Sequence, residues 1–216
     1  MTGLHQDSGL LARDPEALSA EDLILRAALA RFLEKGFHGT SIRAIALSAG
    51  LSVPGLYHYY PSKSALLERL AFDTMDDLIT LTRAAYDLAP PTPVARFDAI
   101  VCAHVRFHCE RSEESFVGNS ELRSLSPAAL KKLVGMRDQQ QRLFDSVIQD
   151  GVTVGLLQVA NPQMASRALV TMCTAVASWY RRSGPATPDE IVAEYRSLAR
   201  SLLGISPDGA GGDLAL

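Results

Sequence analysis

A chain of 216 residues with 47% apolar side chains is large enough to bury one sizeable core or two smaller ones. With 21% charged residues and a formal net charge of −3, it is neither a disordered polyelectrolyte nor a broadly basic nucleic-acid binder. Any affinity for DNA must therefore come from a local excess of positive charge. Cys102, Cys109 and Cys173 form no Cys-x-x-Cys pair, which points to a reducing compartment. No segment approaches the roughly 18 apolar residues of a membrane span and no apolar leader opens the chain, so a cytoplasmic protein without a membrane partner is expected.

Residues 1–19 show no sustained periodicity and are expected to form a flexible arm. Ile24, Ala27, Ala28 and Phe32 then share one helical face, and Gly36 stops that helix. Thr40 or Ser41 suits the N-cap of a short helix ending at Ala49, with Gly50 as its C-terminal cap. A second short helix runs from about Val53 to Tyr59. Pro61-Ser62 breaks it, and a long helix follows from Lys63 to about Asp87, with Leu67, Leu70, Leu78 and Leu81 on one side. The run Pro90-Pro91-Thr92-Pro93 is strong punctuation. Helices are predicted over about 93–109, 113–123, 127–150, 162–182 and 188–203. Asn161-Pro162 and Thr187-Pro188 each place a cap residue before a proline at the first helical position. Residues 205–216, with Pro207, Gly209, Gly211 and Gly212, are expected to be disordered. The fold class is all-α: a three-helix helix-turn-helix head over 20–66 and a larger helical body over 67–204.

The head carries the clearest chemistry. From Thr40 to Tyr60 the sequence reads as a helix, a glycine turn and a second short helix. Ile42, Ile45 and Ala46 face inward, and Leu56 packs back on them. The second helix begins at Ser52-Val53-Pro54-Gly55, where backbone N–H groups and small side chains could meet DNA. Between Ala20 and Leu67, Arg26, Arg31, Lys35, Arg43 and Lys63 outnumber Glu21, Asp22 and Glu34, leaving that segment at +2 and the rest at −5.

Residues Ile24 to Leu67 resemble the DNA-binding head of the TetR family. The resemblance rests on Ala27-Ala28, Phe32, Gly36-Phe37, Thr40-Ser41, Ile45-Ala46, Ala49-Gly50, Ser52, Leu56-Tyr57 and Ser62-Lys63, without a gap. It implies that Thr40, Arg43, Tyr57 and Lys63 hold phosphates and that Ser41 also lies at the DNA. Ser52, Val53, Pro54, Gly55 and His58 would lie in or beside the major groove, the division of labour between positioning and reading. The sequence departs from the family where Tyr59 and Tyr60 stand in place of His and Phe, and Ala44 in place of Asp. Pro54 and Gly55 leave the reading helix poor in base-specific donors, so DNA shape is expected to matter. One of Tyr59 and Tyr60 is expected to be a packing residue.

In the body, the helix from Pro127 shows an apolar seam of Leu130, Val134, Phe144 and Ile148, with Arg137 and Gln141 at its vacant positions. The helix from Pro93 leads from Phe97 and Ile100 to His104 and His108. Polar groups on buried stripes need partners. A ligand cavity would supply them, and so would an intrachain pair such as Arg137 with Glu121. His104 and His108 stand four residues apart as two metal ligands could, but no third ligand is evident, so no metal site is expected.

The resemblance extends to the body. Ser178-Trp179-Tyr180-Arg181-Arg182 with Arg137-Asp138-Gln139-Gln140-Gln141 is similar to TetR-type regulators that respond to coenzyme A thioesters of fatty or sterol-derived acids. It implies no cofactor but an effector, with Arg123, Arg181 and Arg182 for its phosphates. Phe107, Met136, Phe144, Met172 and Trp179 would line an apolar chamber, joined by His104, His108, Arg137 and Gln141. It also implies a homodimer built on the last two helices, gripping a palindromic double-stranded operator as a repressor that a small-molecule effector releases. The helix from Lys63 to Asp87 would carry that switch. Two rivals are a regulator sensing a drug-like, non-CoA ligand and a small helical acyl-CoA-handling enzyme. No nucleophile motif, HExxH, phosphate loop or carboxylate pair supports the enzyme.

Overall fold

The computed structural model describes residues 9–12, 14 and 18–205. It contains ten α-helices and, among the described residues, no strand. The described chain falls into two compact units that are not contiguous in sequence. One runs up to Asp77 and adds Glu110–Met136; the other joins Leu78–Cys109 to the residues from Arg137 onward. We call them the head unit and the body unit.

The head unit opens with a 3-10 turn, Leu10–Ala12, whose Leu10 is buried in the head core. The flexible arm expected over 1–19 is therefore anchored at Leu10; residues 1–8 lie outside the described residues. α1 (Ala20–Gly39) starts with a capping box in which Ser19 and Asp22 satisfy each other's backbone N–H groups. Its stripe of Ile24, Ala27, Ala28 and Phe32 is buried as the periodicity requires. Gly36 breaks it with φ 68° and ψ 169°, a conformation open in practice only to glycine. α2 (Ile42–Ser48) is capped by Ser41, and α3 (Val53–Tyr59) by Ser52. α4 (Lys63–Leu88) contributes residues to both units. The head core gathers Phe32, Phe37, Ile45, Leu56, Leu66, Leu67 and Leu70 around α1.

A later segment completes the head unit: α5 ends inside it, and α6 and the start of α7 belong to it. α5 spans Pro93–Glu110, α6 Ser112–Ser120 and α7 Pro127–Thr153, with a 3-10 turn Leu122–Ser124 between the last two. Val117 of α6 is buried in the head core, and Glu121 accepts from the Phe37 N–H at 3.0 Å. That contact ties the end of α1 to a segment more than 80 residues away.

The body unit is built by α5, α7, α8 (Pro162–Thr174), the short α9 (Val176–Trp179) and α10 (Pro188–Leu202). Asn161 and Thr187 cap α8 and α10 ahead of their prolines. The helix predicted over 162–182 is interrupted at Ala175 and ends at Trp179. Neither glycine nor proline marks the break; the Ser178 hydroxyl and N–H both bond to the Ala175 carbonyl, drawing the turn out of α geometry. Phe97, Ile100, Val105, Phe144, Ile148, Leu169, Cys173 and Val176 form the core. Ile205, placed in the expected tail, is buried there too; residues 206–216 lie outside the described residues.

α7 corrects the predicted seam. Leu130 and Val134 are exposed, while Ala129, Leu133, Gln140, Phe144, Val147 and Ile148 are buried. Phe144 and Ile148 are compatible with either Gln140 or Gln141 one turn earlier; counted back from Gln141 the stripe reaches Leu130 and Val134, and from Gln140 it reaches Ala129 and Leu133, which is apolar as well. Gln140, not Gln141 or Arg137, carries the buried polar position.

Candidate functional site

The DNA-facing candidates sit on α2, α3 and the segments flanking them. Buried Leu56, Ile45 and Ala46 hold the two short helices together. Arg31 of α1 donates from Nε to the Ser48 hydroxyl at 2.9 Å, fixing α2 against α1. Ser41, Arg43, Ser52, Pro54, Tyr57 and His58 are exposed, and Val53 and Gly55 partly so. These eight lie between the start of α2 and the end of α3.

The other two candidates are engaged within the fold. Thr40 is buried, and its hydroxyl lies 2.8 Å from the Gly36 carbonyl and 3.0 Å from that of Arg31. It closes the broken end of α1 instead of offering its hydroxyl to a phosphate. The Lys63 ammonium donates to the carbonyls of Phe37 and Thr40 at 2.5 and 2.6 Å and lies over the Phe37 ring. A cation at these carbonyls offsets the negative end of the helix they terminate.

The start of α3 offers fewer backbone donors than its sequence promised. Gly55 N–H is taken by Ser52 Oγ at 3.1 Å and Pro54 has none, which leaves those of Ser52 and Val53. Of the two tyrosines that follow, Tyr60 is the packing residue: it is buried and donates to Glu21 Oε1 at 2.8 Å. Burial, reinforced by that carboxylate, pushes its hydroxyl pKa far up, so it stays a donor. Tyr59 is exposed, its ring edge-on to His58. Leu47, 78% exposed on α2, was not singled out by sequence reasoning because it occupies an ordinary helical position.

The body candidates divide. His104, Phe107, His108 and Phe144 come together in one buried cluster, with ring centroids of His104 4.7 Å from His108 and 5.4 Å from Phe144. Gln140, which the sequence reading passed over, completes it. The Thr82 hydroxyl lies 2.9 Å from Gln140 Oε1, Gln140 Nε2 lies 3.3 Å from His104 Nδ1, and His104 Nε2 lies 3.1 Å from Thr174 Oγ1. One assignment satisfies all these groups: Gln140 donates to Nδ1, and His104 carries its proton on Nε2. Burial holds the His104 pKa down at about 3, so the ring is neutral.

His108 differs. It is buried, yet neither ring nitrogen has a hydrogen-bond partner among the described residues. Burial first, then His104 and the positive charge of Arg137, push its pKa well below the usual imidazole value. It is a neutral donor and acceptor in an apolar core. Arg137 is half-buried, and burial lowers its own pKa from the guanidinium value.

The remaining candidates lie elsewhere. Gln141 donates to Asp145 and Ser166, each at 2.8 Å, so it is spent on an intrachain network. Met172 is a partly buried flank of the body core. Trp179 is 46% exposed and stacks on Tyr195 at 6.2 Å, on the surface and not lining a chamber. Arg181 bonds to the carbonyls of Ser178 and Tyr180, and Arg182 is exposed. Arg123, exposed, and Met136, partly buried, belong to the head unit. Among the described residues no group of three or more His, Cys, Asp or Glu could hold a metal ion, and no helix is long and apolar enough to cross a membrane.

Residues 24–70 match the family described as "Bacterial regulatory proteins, tetR family". Residues 90–203, more than half of the chain, match "Tetracyclin repressor-like, C-terminal domain". The chain belongs to the TetR family. Among curated TetR relatives, the transcriptional repressor KstR2 of Mycolicibacterium smegmatis is 24% identical over 182 residues, covering 83% of this chain and 88% of its own. Among solved structures, a TetR-family regulatory protein from Rhodococcus RHA1 superposes with a TM-score of 0.81 at 27% identity, over 88% of this chain and 100% of its own. AibR, solved in complex with isovaleryl coenzyme A and operator DNA, has the same TetR fold: TM-score 0.76 at 18% identity, over 87% of this chain and 100% of its own. The TetR relatives are non-enzymatic transcription regulators, and the enzyme alternative gives way to that assignment.

Proposed function

We propose that this chain is a ligand-responsive repressor that binds a palindromic operator as a homodimer and releases it when a small effector occupies the body unit. Residues 20–66 are its DNA-binding domain and 67–204 its ligand-binding and dimerisation domain. Arg43, Ser41 and Tyr57 position it on phosphates. Ser52, Val53, Pro54, Gly55 and His58 face the groove, and Thr40 and Lys63 act by holding the end of α1. The name of a relative supports repression, KstR2 being named a repressor.

One observation carries the effector half: His108, buried and unbonded beside the Gln140–His104 relay. A neutral imidazole there would hydrogen-bond the carbonyl or hydroxyl of a largely apolar molecule, the arrangement of an apolar pocket with a few placed polar groups. A CoA thioester fits, its carbonyl at His108; the AibR complex gives that class precedent on the same fold. A hydrophobic effector without CoA is the second reading, favoured by Arg181 being engaged with backbone carbonyls. The dimer would use the surface of α8, α9 and α10, where Met164, Trp179, Leu198 and Leu202 are exposed. Because α4 belongs to both units, it is the element through which occupancy would reach the operator.

Fluorescence anisotropy with a duplex from the DNA beside the gene, at two salt concentrations, tests this reading. Tight binding over competitor DNA, released by a long-chain or steroid-derived CoA thioester but not by its free acid, supports it. Release by the free acid selects the second reading, and no preference for any DNA rejects both.

A further inference from the structure

We propose that a recess in the head unit, apart from every residue assigned above to DNA or effector, binds a small organic cation. The recess has a volume of about 340 Å³, at the small end of ligand pockets. Asp22 of α1, Asp73, Asp76 and Asp77 of α4 and Glu114 of α6 line it, against only Arg69 and Arg111. The two guanidiniums are already committed. Arg69 pairs with Asp73, and Arg111 reaches both Asp77 and Glu114 at 3.0 Å.

Glu114 supplies the independent sign of a missing partner. Its side chain is 1% exposed. Oε1 accepts from Arg111 and from the backbone N–H of Leu10, while Oε2, equally buried, has no partner. A buried carboxylate oxygen without a donor is costly, more so than an unpaired neutral group. What it lacks is an N–H, and Glu114 is one of the residues that line the recess. At the exposed edge stands Asp76, which makes no hydrogen bond or ion pair among the described residues. A deep orphan oxygen and an outer free carboxylate suit a short chain with an ammonium at each end. A bare metal ion suits them less, since among the described residues no group of three or more His, Cys, Asp or Glu is placed to hold one. Because the walls come from α1, α4 and α6, an occupant would brace the helix that carries the DNA-binding pair.

Isothermal titration calorimetry of the full chain with 1,4-diaminobutane, at constant ionic strength, tests the site. One saturable event per chain is expected, weakened at least tenfold in Glu114→Gln and in Asp76→Asn. Asp76 is on the surface, so its variant decides the matter even if Glu114→Gln fails to fold. Absence of saturable binding, equal affinity in wild type and Asp76→Asn, or magnesium chloride binding the same site as tightly as the diamine would overturn the proposal. The site stands or falls separately from the effector reading, which concerns the body unit alone.

Discussion

Gln140 Nε2 lies 3.3 Å from His104 Nδ1, and this contact sets the tautomer of a buried imidazole. With Nδ1 accepting, the proton is placed on Nε2, directed at Thr174. Gln140→Leu removes the donor but leaves Thr82 satisfied, because its hydroxyl also reaches the Leu78 carbonyl at 2.8 Å. The expected loss is about 1–3 kcal/mol in urea unfolding, the cost of one buried unsatisfied group. The double variant Gln140→Leu/His104→Leu should lose less than the sum of the singles. Strict additivity would mean that the two side chains are not coupled.

The histidine pair makes stability depend on acid. His104 has a folded-state pKa of about 3 and His108 one well below normal, whereas both return to near 6.5 on unfolding. Between those values the unfolded chain binds the extra protons. The stabilisation is therefore complete above about pH 6.5 and declines as pH falls through that window, by about 1.4 kcal/mol per histidine per pH unit. Chemical denaturation at pH 7.5 and 5.5, a range in which ordinary carboxylates barely titrate, should show a loss of roughly 3 kcal/mol. His108→Leu should halve that loss. A flat profile would show that the rings are hydrated or charged in the native state.

Much of this was legible in sequence, and the failures have physical causes. The caps Asn161 and Thr187 write their helix starts plainly, because a side-chain oxygen must serve an N–H three residues on, and Ser41 was one of two choices with Thr40; the Ser19 capping box lay hidden at the end of a segment without periodicity. His104 and His108 were found because two polar groups on an apolar stripe violate the pattern. Gln140 was missed because a period of 3.6 residues does not separate it from Gln141 when the flanking residues are also polar. The Arg111–Glu114–Asp77 network and the buried Leu10 were out of reach: their partners are 34 and 104 residues away, and no local periodicity encodes such pairings.

The end of α1 is a constructed joint, and its parts can be separated from the DNA contacts. Gly36 at φ 68°, ψ 169° cannot be replaced without strain, so Gly36→Ala should cost roughly 1–3 kcal/mol. Lys63→Met, which strips two carbonyls of their cation, should also lower the melting temperature. Arg43→Ala should leave melting unchanged while reducing the slope of log K against log salt for operator binding by about 0.9, the release of one phosphate contact. If Lys63→Met melts like the wild type, the joint does not depend on that ammonium.

Leu198 and Leu202 lie on the outer side of α10, 52% and 44% exposed, while Val192 and Ala199 on the inner side fill the body core. Two large aliphatic side chains one turn apart, near a Trp179–Tyr195 stack, are costly to leave in water. Burying the exposed half of each would contribute about 0.7–1.5 kcal/mol per protomer. Leu198→Glu should therefore turn a dimer into a monomer in sedimentation velocity without unfolding it, since the position contributes nothing to the core. Operator affinity should fall with it, because a single head holds one half-site and loses the avidity of two. Leu198→Glu that sediments as a dimer would place the interface elsewhere, and a dimer-to-monomer change with undiminished operator binding would detach dimerisation from DNA recognition.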